Sequence, residues 1–310
     1  MNRGAPLDRL SISDAPAKEE QALISRSLHE YNVEETGGRF DFPGREEGGF
    51  AVDLAVRDSR GAVVGGINAG SVLGVMWLEV LWVDEVHRRR GLASWLVLEA
   101  ERIAHEKGCV AAGTWTFSWQ GADFYPTIGY ELRGIFDGYP FGVTEHVLTK
   151  RLPGPTTREK TASLAARSER DGYRLDPNPT RDDMRVVGKG LYHYCVRHAG
   201  EEMDYPGIAV HLVLRDEEGR AVAGLEAYTT IRIMALEALW IDSRYRGQGY
   251  GRELLTRAER IAREHGCISV SSHCLSFQSP GFFHRLGYGA FGSVDAYIDG
   301  HTEDLLIKRL

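Results

Sequence analysis

The chain contains an internal repeat that covers most of its length. A shift of 158 residues aligns positions 51–152 with positions 209–310 without a gap, and about 40% of the paired residues are identical. The heptapeptide LEVLWVD that begins at Leu78 returns as LEALWID at Leu236. Because self-similarity at a fixed period is the signature of a repeated structural unit, we infer one domain written twice.

Farther upstream the repeat continues with a longer offset. The tetrapeptide DFPG at Asp41 matches DYPG at Asp204, 163 residues later, so the second copy lacks the five residues 45–49. A surface loop tolerates such a deletion because the entropy of loop closure depends only weakly on length. The offset of 163 therefore relates the N-terminal elements of the two copies.

The repeat also predicts the domain boundaries. We expect a first domain over residues 1–152 and a second over 172–310. Residues 153–171 are rich in Pro, Thr, Ser and charge, and we predict a linker there that is helical only near 160–168. A duplicated dimer-forming domain would give a pseudo-dimer within one chain, and a homodimer is the alternative.

Composition narrows the functional class. With 43% hydrophobic and 26% charged residues, the chain has the composition of a globular protein. A formal net charge of -7 disfavours nucleic-acid binding, which needs a basic surface. Since the sequence has no long apolar run and no apolar segment near Met1, we expect a cytoplasmic protein without membrane contact. The four cysteines lack a disulfide pattern, so we expect buried free thiols, and we predict no metal site.

Hydrophobic periodicity predicts the same order of elements in both copies. That order is a helix, three antiparallel strands, a long helix, a strand, a short helix and two final strands. In the first copy the predicted bounds are 17–31, 50–57, 62–69, 75–83, 92–107, 109–117 and 121–128. The fold class is therefore α/β (mixed α+β), with a mixed, mostly antiparallel sheet flanked by helices in each domain.

One loop recurs where a strand meets the long helix. The sequence RRRGLA occupies 88–93, and RGQGYG occupies 246–251. A tight turn from a strand into a helix points unpaired amides and the positive end of the helix dipole at one spot, which favours phosphate binding. A P-loop would need Gly-Lys-Ser/Thr, and a dinucleotide-binding loop would need a glycine where Arg252 stands, so neither pattern fits.

The loop and the order of elements together resemble the GNAT superfamily of N-acetyltransferases. The pattern Arg-x-x-Gly-x-Gly/Ala after a Leu-x-Val-type strand is similar to the coenzyme A pyrophosphate loop of that family, and the resemblance covers nearly the whole chain twice. It implies two tandem GNAT domains that use acetyl-CoA. The implied contacts in the first copy are Leu81, Trp82, Val83, Arg88, Arg89, Arg90, Gly91, Leu92, Ala93, Ser94 and Ser118. Those in the second copy are Leu239, Trp240, Ile241, Arg246, Gly247, Gln248, Gly249, Tyr250, Gly251, Arg252 and Ser276.

The resemblance also implies catalytic residues. A protonated amine cannot attack a thioester, so the reaction needs a base, and Glu79 and Glu237 match the catalytic glutamate of some family members. The departing thiolate needs an acid, and Tyr125 matches the tyrosine of the family, whereas the second copy has Phe283 at that position. Ser118 and its counterpart replace an asparagine that caps the next helix in many members, and serine can also cap a helix.

Because the first copy holds both Glu79 and Tyr125, we expect it to be the active one. Two alternatives stay open. The second copy could carry the reaction with a substitute for the missing hydroxyl, or neither copy could transfer the acyl group and the chain would be a non-catalytic acyl-CoA-binding or regulatory protein. The expected reaction is direct transfer of an acetyl group to a primary amine of a small molecule.

Two groups of side chains bear on the acceptor. Acidic residues near the ends of the last strands favour a cationic amine, and we expect them to be exposed: Asp137, Glu145, Asp295 and Glu303. Trp115 and Trp119 flank the strand end beside the predicted site, where they form either an aromatic wall for a cation or part of a core or domain interface.

Overall fold

The computed structural model describes residues 10–42, 50–152, 155–199 and 207–310. Residues 45–49 and 204–206, which enter the predicted loop deletion, lie outside these ranges. The elements before residue 153 are β1 (Ser11–Ser13), α1 (Lys18–Glu35), β2 (Ala51–Arg57), β3 (Val63–Val72), β4 (Val75–Val83), α2 (Leu92–Glu106), β5 (Ala111–Phe117), α3 (Phe124–Thr127), β6 (Glu131–Phe136) and β7 (Glu145–Arg151). Those after it are α4 (Pro155–Arg170), β8 (Arg174–Asp176), α5 (Arg181–Ala199), β9 (Ala209–Arg215), β10 (Ala221–Thr230), β11 (Ile233–Ile241), α6 (Tyr250–Glu264), β12 (Ser269–Leu275), α7 (Pro280–Arg285), β13 (Gly289–Val294) and β14 (Glu303–Arg309).

The strands that the structure describes form one mixed sheet of 14 strands in the order β1-β9-β10-β11-β12-β14-β13-β6-β7-β5-β4-β3-β2-β8. The pairs β4–β5 and β11–β12 are parallel, and the other pairs of described strands are antiparallel. The two copies join through β6 and β13, where Gly134 lies opposite Gly292. A Cβ atom on Gly292 would lie 2.4 Å from the carbonyl oxygen of Arg133, so glycine permits the close approach. The predicted fold class is confirmed, and the copies form a pseudo-dimer within the chain.

The N-terminal arm of each copy packs on the other copy. Strand β1 pairs with β9 and helix α1 packs on β10 and β11, so the first arm lies on the second copy. Strand β8 pairs with β2 and helix α5 packs on β3 and β4, so the second arm lies on the first copy. The predicted boundaries 1–152 and 172–310 therefore divide the sequence repeat but do not coincide with the units that pack together.

Glycine on the sheet lets each exchanged helix approach. A Cβ atom on Gly224 in β10 would lie 2.3 Å from Cδ1 of Ile24 in α1. At the matching positions of the repeat, a Cβ atom on Gly66 in β3 would lie 2.5 Å from Cγ2 of Val187 in α5. Both Ile24 and Val187 are almost fully buried. The same glycine and aliphatic pair thus anchors both arms.

An ion pair at the start of each exchanged helix has the same symmetry. Glu20 in α1 binds Arg215 in β9 at 2.6 Å, and Asp183 in α5 binds Arg57 in β2 at 2.7 Å. The hydrogen bonds of Arg215 hold the pKa of Glu20 below its usual value despite partial burial. The exchange therefore rests on apolar and charged contacts in both halves of the chain.

The segment predicted as a partly helical linker is a helix along most of its length. Helix α4 packs along α2, where Leu164 contacts the first hydrophobic core and Thr161 and Ser168 are buried. This apolar face accounts for the difference from the prediction, because it lets the helix bury surface against α2.

Each copy has its own hydrophobic core between the long helix and the sheet. A buried ion pair crosses each core: Lys150 binds Glu101 at 2.6 Å, and Lys308 binds Glu259 at 2.8 Å. The four cysteines are buried and free, as predicted. Among the helices that the structure describes, none is long and apolar enough to cross a membrane.

Candidate active site

The two strand-to-helix loops have the same backbone conformation. Gly91 and Gly249 each stand at the N-cap of a long helix, α2 or α6, with φ of 85° and 94°. Two residues earlier, Arg89 and Gly247 also have positive φ, 62° and 75°. A positive φ favours glycine, so the backbone of Arg89 is strained, whereas the second copy has Gly247 at the equivalent position. Both loops leave helix N-terminal amides unpaired by side-chain caps.

The surroundings of the two loops differ. A Cβ atom added at Gly247 or Gly249 would meet no atom of the described residues within 4 Å. A Cβ atom at Gly91 would lie 3.3 Å from Cδ2 of Leu164, because α4 passes over the first loop. Nearby, His87 bonds the hydroxyl of Tyr173 at 2.9 Å. With respect to the residues that the structure describes, the second loop therefore faces open space, and the first is covered by the segment that follows its own copy.

A cavity of about 680 Å³ lies in the second copy. It opens where β11 and β12 diverge, after Leu236 and Ser272, the last pair in parallel register. Of the predicted residues, the cavity is lined by Glu237, Leu239, Trp240, Ile241, Arg246, Gly247, Gly249, Tyr250, Gly251 and Arg252. Gln248 instead hydrogen-bonds Arg244 and Tyr250 within the loop.

The exchanged arm supplies one wall of this cavity. Leu28, Tyr31 and Asn32 come from α1. The guanidinium of Arg246 lies 4.9 Å from the ring centroid of Tyr31, whose hydroxyl donates to the carbonyl oxygen of Phe277 at 3.0 Å. Sequence reasoning missed these residues because their arm belongs to the other copy in the repeat.

The opposite end of the cavity is acidic and contains a hydrogen-bonded network. His273 Nδ1 lies 2.9 Å from Glu303 Oε1, and the hydroxyl of Tyr297 donates to Glu303 Oε2 at 2.7 Å. The ring of Tyr297 in turn packs against the ring of Trp77 of the first copy, with the centroids 6.5 Å apart. Glu237 lines the same end. Arginines therefore line the loop side of the cavity, whereas the strand side holds two carboxylates with the imidazole of His273 beside them.

Burial of His273 inside the cavity would lower its pKa, but the hydrogen bond and charge of Glu303, with the charge of Glu237, raise it to about 9. Half of the His273 side-chain surface stays accessible. At neutral pH the imidazole is therefore a cation that faces the cavity. The sequence carried a signal for this residue, since its counterpart in the repeat is Trp115.

The corresponding region of the first copy is packed with aromatic side chains. Trp119 stacks on Phe117 at 5.1 Å and on His198 of α5 at 6.3 Å. The ring of Trp82 fills the space that a Cβ atom on Gly190 of α5 would occupy, at 2.2 Å. A cavity of about 550 Å³ near this copy includes Trp82 and Arg88 of the predicted contacts.

Other predicted contacts of the first copy lie in its core or on its surface. Leu92 and Val83 are buried in the core, with Leu81 and Ala93 packed against it. Arg89 and Arg90 are exposed, and Ser94 is half-buried. The structure thus groups the predicted contacts of the second copy around one cavity and leaves those of the first dispersed.

The two expected catalytic groups of the first copy are also apart from that 550 Å³ cavity. The Tyr125 side chain is buried in the core, and burial raises the pKa of its hydroxyl. Glu79 is exposed, with Oε1 3.3 Å from the Cβ position of Gly70. Its counterpart Glu237 and the counterpart of the tyrosine, Phe283, both line the large cavity.

The predicted serine caps are not formed. Ser118 and Ser276 are exposed, and neither α3 nor α7 has a side-chain cap at its N-terminus. Ser276 Oγ accepts from the amide of Thr302 at 3.3 Å instead. Gln278, which the sequence reasoning missed, accepts from the amide of Leu275 at 3.0 Å and lines the cavity.

Two of the four acidic residues predicted to be exposed are exposed, and two are not. Asp137 and Asp295 are exposed, as predicted. The prediction was wrong for Glu303, which is buried with two hydrogen-bond donors, and for Glu145, where burial raises the pKa to about 7 despite the hydrogen bond from Tyr139.

Both tryptophans belong to packed regions rather than to an open pocket. Trp115 packs edge-to-face on Phe291 of the second copy at 6.3 Å, within the interface between the copies. Trp119 donates no described hydrogen bond from its indole nitrogen and is held by stacking. Of the two interpretations left open, the core or interface location fits both residues.

Comparison with known proteins identifies the family. The sequence profile described as "Acetyltransferase (GNAT) family" matches residues 17–130 and again residues 181–288. The chain belongs to the GNAT family. It is a tandem GNAT acetyltransferase, and the enzymes of this family use acyl-CoA as the acyl donor. The expected family and enzyme class are confirmed.

Individual relatives cover about one copy of the repeat. Blasticidin-S acetyltransferase of Streptomyces morookaense is 39% identical over 95 residues, which are 30% of this chain and 70% of that protein. Acetyltransferase Atu2258 of Agrobacterium fabrum is 25% identical over 100 residues, 32% of this chain and 73% of that protein. An acetyltransferase from Bacillus cereus, known from a crystal structure, is 32% identical in sequence to the matched part of this chain, with a TM-score of 0.42. The match covers 43% of this chain and 95% of that protein.

Proposed function

We propose that this GNAT protein transfers the acetyl group of acetyl-CoA directly to a primary amine of a small cationic molecule, and that the second copy carries the reaction. The observation that carries the proposal is the cavity of about 680 Å³, which joins the open loop to a cluster of carboxylates. This reverses the expectation that the first copy is active. The reason is accessibility: Leu164 covers Gly91 of the first loop, and Phe117 and Trp119 stack in the part of the first copy that corresponds to the cavity of the second.

The second loop fits the diphosphate of acetyl-CoA. Open space at Gly247 and Gly249 lets an anion reach the helix N-terminal amides, and Arg246 and Arg252 add positive charge. The strand end at 239–241, next to the diverging strand β12, offers backbone groups and an apolar wall for the pantetheine arm. When bound, acetyl-CoA would supply the activated thioester.

Glu237 is suited to accept a proton from the acceptor amine. An alkyl ammonium has a pKa near 10.4, so it must lose a proton before its nitrogen can attack a carbonyl carbon. The carboxylate of Glu237 lines the cavity beyond the last parallel pair of β11 and β12. It can take that proton directly or through a water molecule. Glu237 is therefore the proposed base.

The same carboxylates favour a cationic acceptor. Because the His273 imidazolium is paired with Glu303, the carboxylate of Glu237 leaves the strand side of the cavity with net negative charge, which attracts an ammonium group before transfer. One relative is named blasticidin-S acetyltransferase, and this supports including blasticidin S among the acceptors tested here. The covered first copy would then serve a structural role.

A kinetic comparison of matched variants tests the proposal. Release of free thiol from acetyl-CoA would be followed with a panel of amines that includes blasticidin S, polyamines and aminoglycosides. We expect turnover of at least one amine, and we expect Glu237→Gln to lower kcat by about 10²- to 10⁴-fold, whereas the matched control Glu79→Gln stays within about twofold of wild type.

Two results would contradict the proposal. If Glu79→Gln abolished turnover while Glu237→Gln did not, the active copy would be the first. If acetyl-CoA raised the melting temperature but the enzyme acetylated no amine in the panel, the chain would be a binding or regulatory protein.

A further inference from the structure

The second copy has lost the phenol of the family and has gained an imidazole. Phe283 lines its cavity at the position that corresponds to Tyr125, so the cleft lacks that hydroxyl. His273, which corresponds to Trp115 in the first copy, lines the same cavity. The copy without the tyrosine is thus the copy with a histidine in the cleft.

The network around His273 fixes its orientation. Its Nδ1–H donates to Glu303 Oε1 at 2.9 Å, and Glu303 is 6% exposed. Glu303 itself accepts a hydrogen bond from the hydroxyl of Tyr297, whose ring packs against Trp77 of the first copy. With Nδ1 occupied, only Nε2 is left to face the cavity, and it has no hydrogen-bond partner among the described residues. The network therefore holds the ring so that Nε2 is available to a bound molecule.

The place of His273 in the sheet puts it across the cleft from the proposed base. Leu236 and Ser272 are the last pair in parallel register between β11 and β12, and Glu237 and His273 are the next residues on the two strands. The charged and titratable groups that face His273 are Glu303 from β14 and Glu237 from β11, with Tyr297 behind Glu303. Both carboxylates favour the protonated ring.

We propose that His273 is a catalytic residue of the second cleft, where its Nε2–H protonates the sulfur atom that leaves the thioester. This inference rests on the proposed function. The amine nitrogen forms a bond to the carbonyl carbon as the carbon–sulfur bond breaks, and the sulfur leaves with that electron pair and takes the proton from Nε2. Before the attack, Glu237 passes the proton of the ammonium to water, and as the amide forms it takes the second proton that the nitrogen loses. Water then returns a proton to Nε2 and removes one from Glu237, so the net products are an amide and a free thiol.

The charge state of His273 agrees with this role. Its pKa of about 9 lies near that of an ordinary thiol, about 8.5, so the imidazolium is populated at neutral pH and can still give up its proton. A structural histidine in the same network would need no accessible nitrogen. The role therefore makes predictions for both titration and turnover.

The first arm of the test needs no turnover. Imidazole signals of the full-length enzyme labelled with ¹⁵N-histidine would be followed by NMR from pH 5 to 10, with His273→Gln used to assign the resonance. We expect the His273 pKa near 9 in the wild type, and a shift toward the ordinary value of about 6.5 in Glu303→Gln. A neutral His273 ring at pH 7.5 in the wild type would overturn the proposal.

The second arm measures kinetics. We expect His273→Gln to lower kcat by about 10²-fold or more, while calorimetry with coenzyme A gives an affinity within about threefold of wild type. In the wild type kcat should fall as the pH rises through about 9, and Glu303→Gln should move that limb toward lower pH. Trp115→Phe, the matched change in the first copy, should leave kcat unchanged.

The outcomes separate this proposal from the proposed function. If His273→Gln keeps a kcat within about twofold of a functioning wild type, the role of His273 is refuted and the acetyltransferase proposal stands. If the wild type acetylates no amine although coenzyme A binds, the proposed function fails, and the role of His273 fails with it. Thermal unfolding of each variant would confirm that the folds compared are intact.

Discussion

The exchange of N-terminal arms makes a quantitative prediction about packing. A Cβ atom on Gly224 would lie 2.3 Å from Cδ1 of Ile24 and 3.0 Å from the carbonyl oxygen of Leu212. Because overpacking of this kind costs about 1–3 kcal/mol, we expect Gly224→Ala to reduce the free energy of unfolding by that amount. Ile24→Ala, at a residue that is 1% exposed, should cost about 2–5 kcal/mol by itself.

The two changes should be coupled, because the smaller side chain at position 24 leaves room for the new Cβ atom. We expect the double variant Gly224→Ala/Ile24→Ala to be more stable than the sum of the single variants predicts, by about 1–3 kcal/mol. The matched control is Val187→Ala, the equivalent change in the other arm, which should add to Gly224→Ala without coupling. Urea unfolding followed by circular dichroism measures the free energy of unfolding of the wild type and of each single and double variant.

The repeat supplies the result that would refute the exchange. If each arm packed on its own copy, Gly224→Ala would couple to Val187→Ala and not to Ile24→Ala. In the exchanged structure, Val187→Ala should instead couple to Gly66→Ala, since a Cβ atom on Gly66 would lie 2.5 Å from Val187 Cγ2. The pattern of coupling thus identifies the arm on each sheet.

Three further predictions concern ion pairs, pH and the cavity wall. Lys150→Met should destabilise the fold by about 3–5 kcal/mol because it leaves Glu101 buried without its partner, and adding Glu101→Leu should recover most of the loss in urea unfolding. Burial raises the pKa of Glu145 from 4.5 to about 7, so its contribution to stability is full below pH 4.5 and is lost as the pH rises through 7. Between pH 4.5 and 8 the wild type should therefore lose up to about 3 kcal/mol of unfolding free energy relative to Glu145→Gln, and unfolding measured across this pH range checks the loss. Tyr31→Ala removes the ring that contacts Arg246 in the second loop, so steady-state kinetics should show KM for acetyl-CoA raised by about 3- to 30-fold. Tyr194→Ala, the equivalent change beside the first loop, should leave KM unchanged.

Local signals were sufficient to predict most of the elements. The strand predicted at 75–83 is β4 over those residues, and the helix predicted at 92–107 ends one residue earlier, at Glu106. The loop glycines at 91 and 249 were predicted from spacing, and their positive φ explains why the pattern needs them. These features depend on a few neighbouring residues, which the sequence displays directly.

The arm exchange could not be predicted because the repeat makes both arms chemically alike. Tyr31 and Tyr194 occupy equivalent positions and stack on equivalent arginines, at 4.9 and 4.6 Å. Either sheet offers a glycine for an aliphatic side chain and an arginine for a carboxylate. The choice between the two arrangements lies in tertiary geometry, and no local pattern encodes it.

The network in the candidate site was missed for a similar reason. His273, Tyr297 and Glu303 lie on separate segments that only the β12–β14 pairing brings together. The covering of the first loop by Leu164 also depends on how α4 packs, although its sequence suggested a linker. The sequence did hold one signal, because the repeat aligns His273 with Trp115.

Calorimetric titration of coenzyme A tests the central claim, that the second cleft alone holds the cofactor. The matched variants are Gly249→Val and Gly91→Val, which place the same side chain at helix N-caps with φ of 94° and 85°. We predict one molecule bound per wild-type chain, loss of binding in Gly249→Val, and wild-type affinity in Gly91→Val. Binding of two molecules per chain, or loss of binding in Gly91→Val with retention in Gly249→Val, would contradict the account.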